Sequence, residues 1–455
     1  MKLSAGFAVI PKALSISLAV ATMIGSSSLV SVSAQAENFD ASVMKSMPKL
    51  EQLYTHLHQY PELSYQEKNT SARMAKELSQ LGFDVTDNFG GYGVVGIYKN
   101  GTGPVLMIRA DIDGLPIIEQ TGKSYASKVT TLDEHNNTVG IMHGCGHDIH
   151  MTSFIGTAEQ LMKHKADWKG TLMMVAQPAE EVGGGAKAML KQGLFSQFPT
   201  PDNVIGLHVS AGIPAGKVGV VSGYALANVD SVDITIKGKS GHGAYPHLTI
   251  DPVVLAARTV LALQTIPSRE VSPLEPNVVT VGSIHGGSKH NIISNQVKLQ
   301  LTLRSYNPEV REQQIAAIKR ITKGIAISAG LPDELMPEVY VHDDETIPST
   351  YNEPQLAAKV QASIETELGK QNVVIAPPVM AGEDFGLYGR TDQNVPITLF
   401  WLGAVEPGAY QASLDSGEGL PSLHSSLFAP DYPLTIKTGV RAMTRTAMDL
   451  FNQKQ

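Results

Sequence analysis

Four short runs, VVGIYK (94–99), PVLMIRA (104–110), GTLMMVAQ (170–177) and NVIGLHV (203–209), are apolar at successive positions rather than at alternate ones. A strand of that kind needs cover on both faces, which a central strand gets in a sheet with helices packed on either side. Helical patterns precede these runs, one over about 40–58 and another over about 66–81, closed by Gly82. The fold class is therefore α/β. The glycines of GYGVVG (91–96) match G-x-G-x-x-G, but the chain continues from them as VVGIYK, which is β-branched and strand-like. A dinucleotide site needs a helix there, so that reading is rejected.

From about residue 230 the pattern changes. SVDITIKG reads as a strand and DPVVLAARTVLALQTI as a helix. VVTVGSI and QVKLQLTLRSY are two more strands, the second alternating at Val297, Leu299, Leu301 and Leu303. PEVREQQIAAIKRITKGIAI is an amphipathic helix and PEVYVHD a last strand. The order β-α-β-β-α-β is that of a ferredoxin-like module. The α/β pattern then resumes with EPQLAAKVQASIETEL, NVVIA, ITLFWLGA and a helix near 434–451. A chain of 455 residues suits two domains. The expected division is a larger domain in two pieces, 37–225 and 337–455, with a smaller one over 226–336 inserted between them.

The first 36 residues read as an export signal. Lys2 and Lys12 precede the apolar run ALSISLAVATMIG (13–25), and Ala34-Gln35-Ala36 has the small-x-small form of a cleavage site. The expectation is an exported chain, periplasmic or secreted, with no membrane attachment after cleavage. Loss of the two lysines takes the formal charge from −8 to −10. An acidic chain without a basic run excludes nucleic acid as a partner class.

Export makes one residue conspicuous. Cys145 is the only cysteine, so it forms no internal disulfide, and it lies in MHGCGHDIHM (142–151) between Gly144 and Gly146. An inert thiol, a nucleophile and a metal ligand are the alternatives. In open α/β sheets ligands bind beyond the carboxyl ends of the strands. There PVLMIRA runs into Asp111 and Asp113, GTLMMVAQ into Glu180 and Glu181, and NVIGL into His208. With Cys145 and His147, one sheet edge offers four carboxylates, two imidazoles and a thiol. Crowded carboxylates repel, and a cation removes the penalty. Sulfur, imidazole and carboxylate together suit zinc or a similar first-row ion rather than calcium or magnesium. Of the adjacent glutamates, one can ligate while the other faces the water that such an ion activates and takes its proton.

Taken in order, RADIDGLP, HGCGHD, QPAEE, GLHV, GKSGHGAYPH, AGEDFG and LHSSLF resemble the M20 metallopeptidases. The likeness is to the amidohydrolase subgroup that includes hippurate hydrolase, N-acyl-amino-acid amidohydrolases and plant auxin-conjugate hydrolases. It implies a two-metal exopeptidase-like catalytic domain with an inserted lid. By position it implies metal ligands at Cys145, His147, Glu181, His208 and His424. Glu180 becomes general base and acid, and Asp113 the aspartate that orients the site. Asp111 stands where relatives carry a histidine. On the lid, His242 matches a histidine that steadies the oxyanion, often from a partner subunit, while Asn291 and Arg304 match positions that hold a substrate carboxylate.

The implied cofactors are two divalent ions, manganese, zinc or cobalt. The implied substrate is a small N-acyl amino acid or dipeptide cut at an amide bond, and the implied partner is a second copy met through the lid. The alternative reading is a solute- or metal-binding protein that keeps the fold without turnover. Ser294 and Ser426 replace prolines common in the family and are expected to border the pocket. His143 and His150 are candidates to brace the ligands, and Glu383 to sit near the site. His56, His58, His164, His285 and His342 read as surface or structural.

Overall fold

The computed structural model describes residues 25–132 and 136–452. The export-signal run up to residue 24 lies outside the described residues. Helix α1 spans Gly25–Gln59, starting well before the expected 40. Residues 26–39 contain no glycine or proline to stop it. Helix α2 is Lys68–Gln80, and Gly82 follows it at φ +88°, where the chain turns out of the helix. No helix among the described residues is long and apolar enough to cross a membrane.

The main sheet begins with strands β1 (Asp84–Phe89), β2 (Gly93–Asn100) and β3 (Val105–Asp111). Helix α3 (His147–Lys163) leads to β4 (Gly170–Gln177), β5 (Asn203–Pro214) and β6 (Val218–Val220). The rejected glycine motif is indeed a turn into β2. Strand β1 is an addition that the sequence pattern misses, because it is mostly exposed and carries no apolar alternation.

The inserted unit has strand β7 (Asp230–Lys237), helix α4 (Pro252–Leu263), and strands β8 (Asn277–Gly286) and β9 (Gln296–Ser305). It closes with α5 (Pro308–Ser328) and β10 (Glu338–Val341). Its sheet is antiparallel in the order β8-β9-β7-β10, and its core is its own, built on residues such as Val232, Ile234, Leu299 and Ile318. Proline at the first position and a capping side chain start both helices: Asp251 accepts from the Val253 amide, and Asn307 from the Glu309 amide. The expected lid end at 336 falls short, since β10 lies beyond it and pairs with β7. Val229 pairs with Ile347 where the chain enters and leaves the lid.

After the lid come helix α6 (Pro354–Leu368), strands β11 (Val373–Ile375) and β12 (Ile397–Val405), and helix α7 (Tyr432–Phe451). The main sheet then has the order β1-β2-β4-β3-β5-β12-β6-β11. Its centre, β4-β3-β5-β12, is parallel. Leu106, Ile108 and Ala110 of β3 face a core with α1, α3 and α7, while Met107 faces a second core on the other side. This two-sided cover accounts for the continuous apolar runs.

Candidate metal centre

The parallel strands deliver their polar ends to one place. Asp111 ends β3, Asp113 follows it, and His208 sits within β5. His147 is the first residue of α3, preceded by Gly146 at φ +81°. A Cβ on Gly146 would meet Val209 Cγ2 at 2.5 Å, so glycine is required there both for its backbone and for the close approach. Gly144 has no such backbone demand. After β4 the chain turns sharply at Ala179, φ +50°, to present Glu180 and Glu181. Glu67 steadies that turn by accepting the Ala179 amide at 2.8 Å. His424 enters from the loop before α7 at φ +63°.

These groups converge on Cys145. Its Sγ is 3.4 Å from His208 Nε2 and 3.3 Å from His424 Nε2. His424 Nε2 is 3.5 Å from Glu181 Oε2, and His147 Nε2 is 3.8 Å from both Glu181 Oε1 and Glu180 Oε2. Of five triads of donor atoms among the described residues, two contain Cys145: Cys145–His147–His208 and Cys145–Glu181–His424. His147 Nε2 and Glu181 Oε1 are buried with no hydrogen-bond partner among the described residues. Two ligands of one tetrahedral ion stand about 3.4 Å apart. The spacing, the donor types and the orphaned atoms all fit a pair of divalent ions. Asp111 makes a poorer ligand: its Oδ2 takes Arg109 and its Oδ1 takes His150, each at 2.6 Å.

The electrostatics point the same way. Burial and the neighbouring carboxylates Glu383 and Glu181 push Glu180 well above the usual carboxylate range. Burial and Asp113 and Asp111 outweigh His147 and bring Glu181 up to about 7. Burial also raises the Cys145 thiol. A cation among these groups reverses each of these effects. His150 is held neutral: burial takes it down to about 3, its Nδ1 meets Asp111, and its Nε2 accepts the Val209 amide at 2.9 Å. Asp113 contacts two of the proposed ligands, His147 and Glu181. It accepts from Ser64 and the Glu181 amide, and its Oδ1 lies 3.2 Å from His147 Nδ1.

A scan against family models matches residues 107–415 to the peptidase family M20/M25/M40. The chain belongs to that family. It is 36% identical to thermostable carboxypeptidase 1 of Saccharolobus solfataricus over 361 residues, 77% of this chain and 85% of the relative. It is 37% identical to N-acetyldiaminopimelate deacetylase of Bacillus subtilis over 366 residues, 80% of this chain and 92% of the relative. A solved Bacillus subtilis structure, a dinuclear metal-binding peptidase of family M20, superposes with a TM-score of 0.71 at 29% identity. That match covers 89% of this chain and 98% of that one. This M20 chain is thus a hydrolase of C–N bonds by descent, and these relatives lend no support to a binding protein without turnover.

Within this M20 site, a cavity of about 460 Å³ opens onto Cys145, Glu180, Glu181, His208 and His424. Arg304 of the lid lines the same cavity. Its guanidinium bonds only the Leu303 carbonyl, at 3.3 Å, and has no carboxylate partner among the described residues. His242 and Asn291 are exposed neighbours on the lid, where Gly241–His242 pairs antiparallel with Ile292–Ile293, and they do not line the cavity. Ser294 and Ser426 do not line it either; Ser426 bonds Gln120 outside it. His150 bonds Asp111 and the Val209 amide beside the centre, whereas both ring nitrogens of the buried His143 lack a hydrogen-bond partner among the described residues.

Sequence reasoning missed the network beneath the site. Arg109, 2% exposed, bonds Asp111, Glu383, Asp384 and Gln177 from within β3. A charged residue inside an otherwise apolar central strand was the available signal, because such a charge must be paired.

Proposed function

We propose that the chain hydrolyses the amide bond of N-acyl amino acids or small peptide-like compounds with two divalent ions held by Cys145, His147, Glu181, His208 and His424. The observation that carries this reading is the pair of donor triads sharing Cys145, with Glu180 beside them in the same cavity. The carboxypeptidase and deacetylase names of the relatives favour the substrate class. Bound ions supply polarisation of the amide carbonyl and a water acidic enough to react near neutral pH. Glu180 takes a proton from the attacking water at its carboxylate and returns it to the amide nitrogen as the C–N bond breaks. Amide and water become carboxylic acid and amine, and no other reactant is needed. Asp113 holds His147 and the Glu181 turn in place, and Asp111 with His150 holds the start of α3 against β5.

Arg304, with unpaired donors facing the cavity, fits the substrate carboxylate. His242 and Asn291 lie outside their own chain's cavity, so in this reading His242 reaches the oxyanion of a second copy joined through the lid. Export to the periplasm or beyond completes the proposal, on the strength of residues 1–36.

The test is amine release from N-acetyl, N-benzoyl and dipeptide substrates before chelation, after it, and after return of manganese, zinc or cobalt. Activity is expected to vanish and return. Glu180→Gln is expected to bind the same amount of metal and lose at least about a hundredfold in kcat. Activity indifferent to chelation, or undiminished in Glu180→Gln, overturns the assignment.

A further inference from the structure

Beside the metal cavity runs a second one of about 650 Å³, and the two share Ala381, Trp401 and Leu423 in their walls. Its other walls extend segments that carry ligands. Strand β5 continues past His208 as Ser210, Ala211, Gly212 and Ile213, and Leu420 and Ser422 lead up to His424. Pro377 and Val379, beyond β11, close the far side. No charged side chain lines this groove among the described residues, and Arg304 belongs to the metal cavity alone. Trp401 pairs with His208 across β5 and β12, its ring edge-on to the imidazole at 5.5 Å. The groove therefore begins against a proposed ligand and leads away from it over apolar surface.

We infer that this groove is the acyl subsite, and that it takes a medium-chain fatty acyl group. The inference rests on the amidohydrolase reading and narrows its substrate to N-acyl amino acids of that kind. The two ends of such a substrate differ in chemistry. The amino acid carboxylate needs a cation, which the metal cavity offers in Arg304. The acyl chain needs an uncharged trough that starts at the reacting carbonyl. An acetyl group leaves nearly all of the groove unfilled, whereas its volume is in the range that seats a drug-sized ligand. Burial of each further methylene is worth up to about a fourfold gain in kcat/KM until the groove is full.

The experiment compares kcat/KM for N-acetyl, N-hexanoyl and N-decanoyl forms of one amino acid, using the metal-loaded enzyme and Gly212→Phe. A Cβ at Gly212 meets nothing closer than Ser210 Oγ at 3.8 Å and its φ is not positive, so the backbone accepts the change, and Gly212 lines the groove that the added ring is meant to fill. The decanoyl-to-acetyl ratio is expected to exceed about a hundred in the native enzyme and to fall at least tenfold in the variant. A second readout needs no turnover. The chain has two tryptophans, and Trp168 is stacked on Phe451 in the core, so Trp168→Phe leaves Trp401 as the reporter. Decanoate is expected to shift its emission, and acetate is not. Acetyl turnover with no gain from chain length, a ratio unmoved by Gly212→Phe, or an emission indifferent to decanoate overturns the acyl subsite alone. No turnover of any N-acyl amino acid overturns the amidohydrolase reading, and the subsite with it.

Discussion

At the scale of single residues, Arg109 sets the terms for the centre it never touches. Among the described residues it is the one arginine or lysine paired with the buried carboxylates of Asp111, Glu383 and Asp384, and two of those border groups that face the cavity. Taking three carboxylates out of water without that partner is costly, so Arg109→Met is expected to lose about 3–5 kcal/mol of stability, read from denaturant midpoints. An unchanged midpoint refutes the structural role. Residue-level legibility was uneven for a physical reason. Acids at strand ends announce themselves because nothing in a core explains them. His424 gives no such signal: it lies in a loop, φ +63°, far along the chain from its companions, and only the family likeness reached it. His242 was legible by motif, but its exposed place, paired with the remote Ile292–Ile293 segment, was not.

At the scale of elements, His58 ties three segments together. From α1 its Nδ1 lies 2.6 Å from Asp148 in α3, and its Nε2 lies 3.1 Å from Glu119 in the loop after β3. Burial alone lowers its pKa, but the two carboxylates outweigh burial and raise it to about 9 from 6.5. A group raised on folding stabilises fully below its unfolded value and stops doing so above its folded one. The contribution, about 3 kcal/mol, is therefore expected in full below pH 6.5 and lost as pH rises through 9. The stability gap between the native chain and His58→Gln should close between pH 6 and pH 10, and a gap that stays constant or widens contradicts the clamp. Elements with a strong period were legible in the sequence: lid strands β7 and β9 with every second residue buried, and the central strands covered on both faces. Strand β1 was not, because an edge strand with an exposed face has no pattern to betray it.

At the scale of the molecule, the lid brings Arg304 to the cavity of its own chain and leaves His242 outside it. If a second copy supplies His242, two dead variants can repair one another. Glu180→Gln and His242→Ala, each inactive alone, are expected to regain activity when unfolded together and refolded as a mixture, since one site in a mixed pair then has both groups intact. No recovery in a mixture shown to contain mixed pairs counts against sharing. The split of the catalytic domain around an insert was legible because the α/β pattern stops and then resumes; how the lid meets the cavity was not, because that depends on contacts between remote segments.

The Cys145–His424 contact joins residues 279 positions apart. A ribosome making this chain must therefore finish almost all of it before the last proposed ligand exists. Truncated and nascent forms hold an incomplete set of donors, so ion capture comes at the end of maturation. If the proposed export takes the chain out of the cytoplasm before it folds, the compartment where folding ends chooses the metal.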